Sequence, residues 1–145
     1  MRKTVIFFTA WKKQITNTLV FTAVSTISGV SVKTADESHA GTDDGIFMKV
    51  CNDISGGCCE TKLDDTDRDD FVRNTTDDFG SNLIPDCTGL KIMGSGNSVV
   101  MRVEGSDGWL GESVTISLTD GRTISCSVSE WIDDDGSTTL SCSTQ

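Results

Sequence analysis

The sequence predicts an all-β fold, an antiparallel β-sandwich of two sheets stapled by disulfide bonds. From residue 30 onward, short apolar-alternating runs are interrupted by Gly, Asp or Asn every eight to twelve residues, a spacing typical of sandwiches and barrels. No stretch has the periodicity of a helix of any length. The six cysteines all lie at Cys51 or later and can form up to three disulfides.

The same pattern predicts nine strands, each bounded by residues that favour turns. They are Val30–Lys33, Gly45–Cys51, Cys59–Leu63, Asp70–Asn74, Gly89–Met93, Ser98–Glu104, Glu112–Leu118, Arg122–Val128 and Thr138–Cys142. The short connections between them favour antiparallel neighbours.

The turn Thr119–Gly121 gives the clearest register. A two-residue turn would mix apolar and polar side chains on each face of the hairpin. A three-residue loop, with its glycine in the left-handed conformation, instead pairs Leu118 with Arg122 and Ile116 with Ile124. The predicted apolar face is then Val114, Ile116, Ile124 and Cys126, and the hydroxyl-rich face is Thr115, Ser117, Thr123 and Ser125. Such strands suit a two-sheet sandwich, with one face in the core and one in water.

Charge divides the 145-residue chain into two parts. Four of the 12 basic residues lie in the first thirteen positions, whereas all 22 acidic residues lie at Asp36 or later. Residues 1–29 are therefore predicted to be a secretory signal, with an exit site at Ala23–Ser25 or Gly29–Ser31. An uncleaved anchor, a misplaced start codon or another kind of leader is the alternative.

Residues 30–145 form the predicted domain, which is secreted and strongly acidic. It carries 22 acidic and 8 basic residues, a net charge of −14. We expect no binding to nucleic acid, because affinity for phosphate backbones depends on Lys and Arg.

The cysteines are expected to form structural disulfides in an exported domain. A turn-rich stretch separates Cys51 from the adjacent Cys58 and Cys59, so one disulfide can close this hairpin. The remaining pairing among Cys51, Cys58, Cys59, Cys87, Cys126 and Cys142 stays open. A zinc site is disfavoured because no Cys-x-x-Cys pair repeats and the single His is distant in sequence.

Five of the seven residues from position 64 to position 70 are Asp. Such a density of hard oxygen ligands suits Ca²⁺, although a solvated acidic surface is the alternative. An EF-hand is excluded, because Asp70 stands where that loop needs Gly and Thr76 where it needs Glu. A second acidic run, 133–136, is predicted to be a turn.

Four segments, in order, resemble the PLAT/LH2 family, the lipoxygenase-homology β-sandwich. They are Val32-Lys-Thr-Ala-Asp36 with Ala40-Gly-Thr-Asp-Asp44, then Asp69-Asp-Phe71 with Thr76-Asp-Asp-Phe79, then Gly108-Trp-Leu-Gly111, and finally Ile124 to Trp131. Together they span roughly residues 30–135. The chain departs from the family pattern at Ala35, where Gly is usual, and in the cysteine-rich insertion around Cys58.

The resemblance implies a calcium site built from three loops at one end of the sandwich. The implied ligands are backbone oxygens of His39 and Gly41, carboxylates of Asp64 or Asp65, Asp67 and Asp70, and the pair Asp107 and Gly108. Beside this site, Trp109 and Leu110 either form an apolar tip that contacts a membrane or partner, or begin the core of their strand. Trp131 is predicted to lie in the core.

One modification site is predicted. Asn74-Thr75-Thr76 is the sole Asn-x-Ser/Thr sequon, so Asn74 is a candidate for glycosylation.

No catalytic set is predicted. His39 lies in a Gly/Asp loop, no Gly-x-Ser-x-Gly elbow occurs, and the paired carboxylates lie on solvated turns. The sequence therefore favours a secreted, non-catalytic module that uses Ca²⁺ to engage a lipid surface or an extracellular protein, with oligomeric state open. The alternative functions are a disulfide-stabilised acidic matrix protein without a specific ligand, and an effector acting on another cell's surface.

Overall fold

Strands account for the regular structure of residues 23–145, the part of the chain that the computed structural model describes. The strands are β1 (Val24–Ser25), β2 (Ile27–Thr34), β3 (Gly45–Asn52), β4 (Cys58–Leu63), β5 (Thr76–Gly80), β6 (Ile92–Met93), β7 (Asn97–Glu104), β8 (Gly111–Leu118), β9 (Thr123–Ser127), β10 (Ser137–Thr139) and β11 (Ser141–Thr144). A 3₁₀ turn, Ser81–Leu83, follows β5. Within these residues no helix has the length and apolar character to cross a membrane.

Two antiparallel sheets form the predicted sandwich. One has the strand order β10-β7-β3-β4 and the other β11-β9-β8-β2-β5, while β1 and β6 form a separate pair. The burial of β3, β7 and β8 alternates with period two, and their inward side chains join one hydrophobic cluster. The all-β sandwich prediction is confirmed.

The predicted hairpin register is also confirmed. Ile116 pairs with Ile124 and Val114 with Cys126, and the Leu118 amide donates to the Arg122 carbonyl at 2.9 Å. The four predicted core side chains are buried, and the four hydroxyl side chains opposite them are at least partly exposed. Gly121 has φ +90°, the left-handed conformation that the three-residue loop requires.

One predicted strand is wrong and two others are only partly right. Residues 70–74 form a turn in which Phe71 and Asn74 both have φ +60°, so the chain cannot stay extended before β5. The strand predicted at 89–93 shortens to Ile92–Met93. The one predicted at 138–142 divides at Leu140, because β10 and β11 belong to different sheets.

Six cysteines form three disulfides: Cys51–Cys58, Cys59–Cys87 and Cys126–Cys142. The first closes the predicted hairpin. The adjacent Cys58 and Cys59 reach different partners because successive side chains of a strand point to opposite faces. Cys58 is accordingly exposed, whereas Cys59 is buried and reaches the fully buried Cys87.

We predict that the buried disulfide contributes more stability than the hairpin disulfide. Replacing Cys59 and Cys87 together with Ala should lower the free energy of unfolding by about 3.5 kcal/mol, against about 2.5 kcal/mol for Cys51 and Cys58, because the longer loop restrains the unfolded chain more. Urea denaturation of the two double variants measures both values. Equal losses would contradict the loop-closure explanation.

Candidate functional site

Four loops gather at one end of the sandwich, which we call the acidic pole. They are residues 35–44, 64–75, 105–110 and 128–136. The antiparallel registers place them together, because β2 and β7 end at this pole, and β3, β5 and β8 begin there. The loops contain 14 of the 22 acidic residues of the chain: Asp36, Glu37, Asp43, Asp44, Asp64, Asp65, Asp67, Asp69, Asp70, Asp107, Glu130, Asp133, Asp134 and Asp135. Their only Lys or Arg residues are Arg68 and Arg73.

Asp107 joins the first loop to the third. Its carboxylate accepts hydrogen bonds from the Thr42 hydroxyl and the Asp43 amide, both at 3.2 Å, and its carbonyl accepts a second from Thr42 at 2.9 Å. Its amide donates to the Asp44 carboxylate at 2.6 Å. The Asp44 carboxylate also lies where a side chain on residue 105 would project, so only glycine fits at position 105. These bonds hold Asp43 and Asp107 side by side.

Gly41 allows the first loop to lie against the second. A Cβ atom at this position would come within 2.8 Å of the Phe71 carbonyl and 3.1 Å of the Arg73 amide. Two adjoining surface depressions form along this contact, and both are lined by Thr42, Asp43, Asp69, Asp70 and Phe71.

Asp77, in β5, fixes the second loop through a hydrogen bond to its backbone. Its side chain is buried and accepts a hydrogen bond from the Phe71 amide at 2.8 Å. Burial raises the pKa of this carboxyl above its usual value, and the negative charge of Asp70 acts in the same direction. The Phe71 amide and the nearby Arg68 partly oppose the increase.

The predicted ligands lie at this pole but do not all converge. Gly41 and Asp107 meet through Thr42, and Asp70 lines the same depressions. Asp65 and Asp70 instead contact Arg68, and Asp64 pairs with Lys62.

The other three predicted ligands make contacts elsewhere than at the depressions or Arg68. The Asp67 amide donates back to Asp65. The exposed His39 ring contacts its neighbour Ser38, and Gly108 lies against Trp131. Within residues 23–145, no three His, Cys, Asp or Glu side chains are arranged to hold a metal ion.

The donors are nevertheless of the kind that calcium prefers. Carboxylates, backbone carbonyls and the Thr42 hydroxyl are all hard oxygen ligands, and the Arg68 guanidinium already stands among several of the carboxylates as a positive charge. The chemistry of the residues therefore fits a divalent cation. The sequence prediction omitted Asp43 and Asp69, although Asp43 belongs to the Ala40–Asp44 segment that carries the family resemblance.

The structure decides between the two predicted environments of Trp109 and reverses the one predicted for Trp131. Trp109 is fully buried, its Nε1 donates to the Thr34 hydroxyl at 3.1 Å, and its ring meets Phe71 edge-on at 5.9 Å. Of the two alternatives for Trp109, the core position is therefore confirmed and the membrane or partner contact is wrong, and Leu110 beside it is only partly exposed. Trp131, predicted to be in the core, is 41% exposed, because Ile132 fills the buried position opposite Trp109.

Comparison with protein families gives one assignment. The model of the PLAT/LH2 domain matches residues 29–142. The chain belongs to the PLAT/LH2 family. A comparison with curated proteins found no match.

Solved structures share the PLAT fold. The α-toxin of Clostridium absonum superimposes with a TM-score of 0.63 at 26% identity, over 81% of this chain and 31% of the toxin. The α-toxin of an avian strain of Clostridium perfringens has a TM-score of 0.65 at 16% identity, over 82% of this chain and 32% of the toxin. Coral 8R-lipoxygenase, described as activated by calcium through a C2-like domain, has a TM-score of 0.65 at 21% identity, over 83% of this chain and 17% of the enzyme. This PLAT chain thus spans less than a third of each relative's length.

We predict that Asp77 makes the stability of this PLAT domain depend on pH. Because its folded-state pKa is raised, the folded state binds the proton more tightly, and this contribution to stability is lost as the pH rises from 3.8 through the folded-state pKa. Asp77→Asn keeps an oxygen for the Phe71 amide and should remove this decline. Urea denaturation across that pH range measures the difference from the wild type, and parallel pH profiles would contradict the prediction.

Proposed function

We propose that this chain is a secreted, non-catalytic PLAT module that binds Ca²⁺ at its acidic pole and thereby attaches to a lipid surface. The observation that carries the proposal is the concentration of 14 carboxylates in four loops that contain only two arginines. So many like charges repel one another unless cations or solvent screen them. A divalent ion relieves that repulsion.

The calcium ligands would come from the junction of the first three loops. Asp43, Asp69 and Asp70 line both surface depressions, and Gly41 and Asp107 line the second of them. The remaining predicted donors, Asp64, Asp65 and Asp67 with the carbonyls of His39 and Gly108, lie in the same loops. Bound calcium would supply positive charge and open coordination positions for anionic oxygens.

Two exposed apolar side chains flank these loops. Val72 and Trp131 are each 41% exposed, Val72 in the second loop and Trp131 in the fourth. Trp is well suited to the headgroup region, because its ring is amphipathic. A domain with a net charge of −14 is repelled by anionic bilayers, so the apolar contact becomes favourable only after calcium has neutralised the pole. The lipid then explains why apolar groups are exposed beside carboxylates.

Processing of the N-terminus is best placed before residue 24. Val24 and Ser25 pair with β6, and Ile27 is only 1% exposed in the core. Cleavage at the alternative site, Gly29–Ser31, would remove these residues from the sandwich. We therefore propose that cleavage falls between Ala23 and Val24, at the start of the first predicted exit segment, so that β1 remains in the mature domain. The leader before Ala23 lies outside the described residues.

Asn74 is exposed in a turn that suits glycosylation. Its backbone has φ +60°, and its side-chain oxygen accepts a hydrogen bond from Lys33 at 2.8 Å. The side-chain nitrogen, which would carry the glycan, makes no hydrogen bond within residues 23–145. Attachment there leaves the Lys33 contact intact.

Calcium should raise the thermal midpoint of the domain and cause it to sediment with vesicles of phosphatidylcholine and phosphatidylserine. Asp43→Asn and Asp107→Asn should weaken both responses, because each removes a charge while keeping an oxygen. Trp131→Ala should keep the thermal response and lose most of the sedimentation. Ile54→Ala is the matched control, since Ile54 is 56% exposed at the opposite end of the sandwich.

Two results would contradict the proposal in different ways. If calcium leaves the midpoint of the wild type unchanged, the metal site is wrong, and the acidic scaffold without a ligand becomes the better interpretation. If the midpoint rises but no vesicle sediments the protein, the lipid surface is wrong, and pull-down with calcium then tests an extracellular protein partner.

The protein recovered from the medium of expressing eukaryotic cells should begin near Val24 and carry one N-linked glycan. Intact mass before and after glycosidase treatment measures both properties. Thr76→Val removes the sequon but keeps a residue that favours strands, so it should abolish the mass shift without unfolding β5. A protein retained by the cells at its full mass would contradict the secretory prediction.

A further inference from the structure

Arg68 lies among the carboxylates of residues 64–70, the part of the second loop that we call the acidic loop. Its Nε lies 2.5 Å from the Asp70 carboxylate and 3.6 Å from that of Asp77, and its Nη1 lies 3.2 Å from Asp65. The guanidinium thus contacts three carboxylates at once. Most of this side chain is shielded from water, with 33% of it exposed.

The sheet holds the guanidinium at this position. Its Nη2 donates to the Asp78 carbonyl at 2.8 Å, and its Cζ lies 4.9 Å from the centre of the Phe79 ring. Both residues belong to β5, one of the two edge strands of the five-stranded sheet. Arg68 is therefore anchored to the fold by contacts that do not involve the acidic loop.

The carboxylates divide their oxygens between the loop and Arg68. One oxygen of Asp65 accepts from the Asp67 amide, and one of Asp70 accepts from the Asp65 amide. The second oxygen of each faces the guanidinium. These second oxygens are the ones that a metal ion could take without breaking the bonds that shape the loop.

We propose that Arg68 is a tethered cation that stands in for calcium in the acidic loop and sets the calcium affinity of the domain. Without metal it neutralises Asp65 and Asp70 and keeps the loop folded. Calcium gains those carboxylates only by displacing it. This inference rests on the proposed function, because it assumes that calcium binds at the acidic pole.

The test compares Arg68→Gln with Arg73→Gln. Both variants remove one positive charge from the same loop, but among residues 23–145 Arg73 forms an ion pair only with Asp36, and its side chain is 52% exposed. Without calcium, Arg68→Gln should have a lower thermal midpoint than the wild type. It should also bind calcium roughly three- to tenfold more tightly, the range expected for a partly exposed ion-pair network. Arg73→Gln should change the affinity less, since it shares only the change in net charge.

Arg68→Lys provides a second variant if the glutamine variant fails to fold. It keeps the charge, but a lysine cannot reach two carboxylates and the Asp78 carbonyl with the fixed geometry of a guanidinium. Its calcium affinity should lie between those of the wild type and Arg68→Gln. Isothermal titration with calcium chloride, alongside thermal melts in EDTA, measures all four proteins.

The outcomes separate the inference from the proposed function. If the wild type binds calcium and Arg68→Gln binds it equally or more weakly, the role of Arg68 is wrong while the calcium site stands. If only the Arg68 variants bind calcium, Arg68 is confirmed as the resident cation, and the proposed function of the natural chain is wrong. If none of the proteins binds calcium, both are wrong.

Discussion

The acidic pole depends on the burial of Trp109. Its indole hydrogen bonds to Thr34 of β2, its ring packs edge-on against Phe71 of the second loop, and its backbone pairs with Ile132 of the fourth. A buried Trp removes a large apolar area from water and also needs a partner for its N–H. One residue thus joins three of the loops to the sheet, through its side chain and its backbone, so the positions of the polar groups above it follow from apolar packing below.

Above that apolar layer, the pole is held by hydrogen bonds to carboxylates. Asp107 accepts from the first loop, Asp77 from the Phe71 amide, and Asp65 and Asp70 from their own loop. Carboxylates that accept backbone N–H bonds can stabilise turns that no regular structure supports. The same bonds keep the negative charges close together. Shape and ion affinity are therefore linked, since the groups that fold the loops are also the candidate ligands.

Period-two alternation explains why much of the sandwich could be predicted from sequence. The β8–β9 register and the hairpin disulfide depend on local spacing, and both are confirmed. Residues 70–74 resembled a strand, but positive φ at Phe71 and Asn74 depends on tertiary bonds that spacing does not encode. Likewise, a Trp beside a turn is apolar in either environment, so only the packing of Ile132 decides that Trp131 is the exposed one. The contacts of Arg68 join the second loop to β5, so no local pattern in the sequence predicts them.

Both described ends of the chain lie at the end of the sandwich opposite the acidic pole. Thr26 hydrogen bonds to Thr119 in the β8–β9 turn, and Gln145 pairs with Thr123 just after it. A polypeptide, label or solid support joined at either end would therefore leave the domain on the far side from its carboxylates. The acidic pole would face outward from the attachment point and stay accessible whatever is joined there.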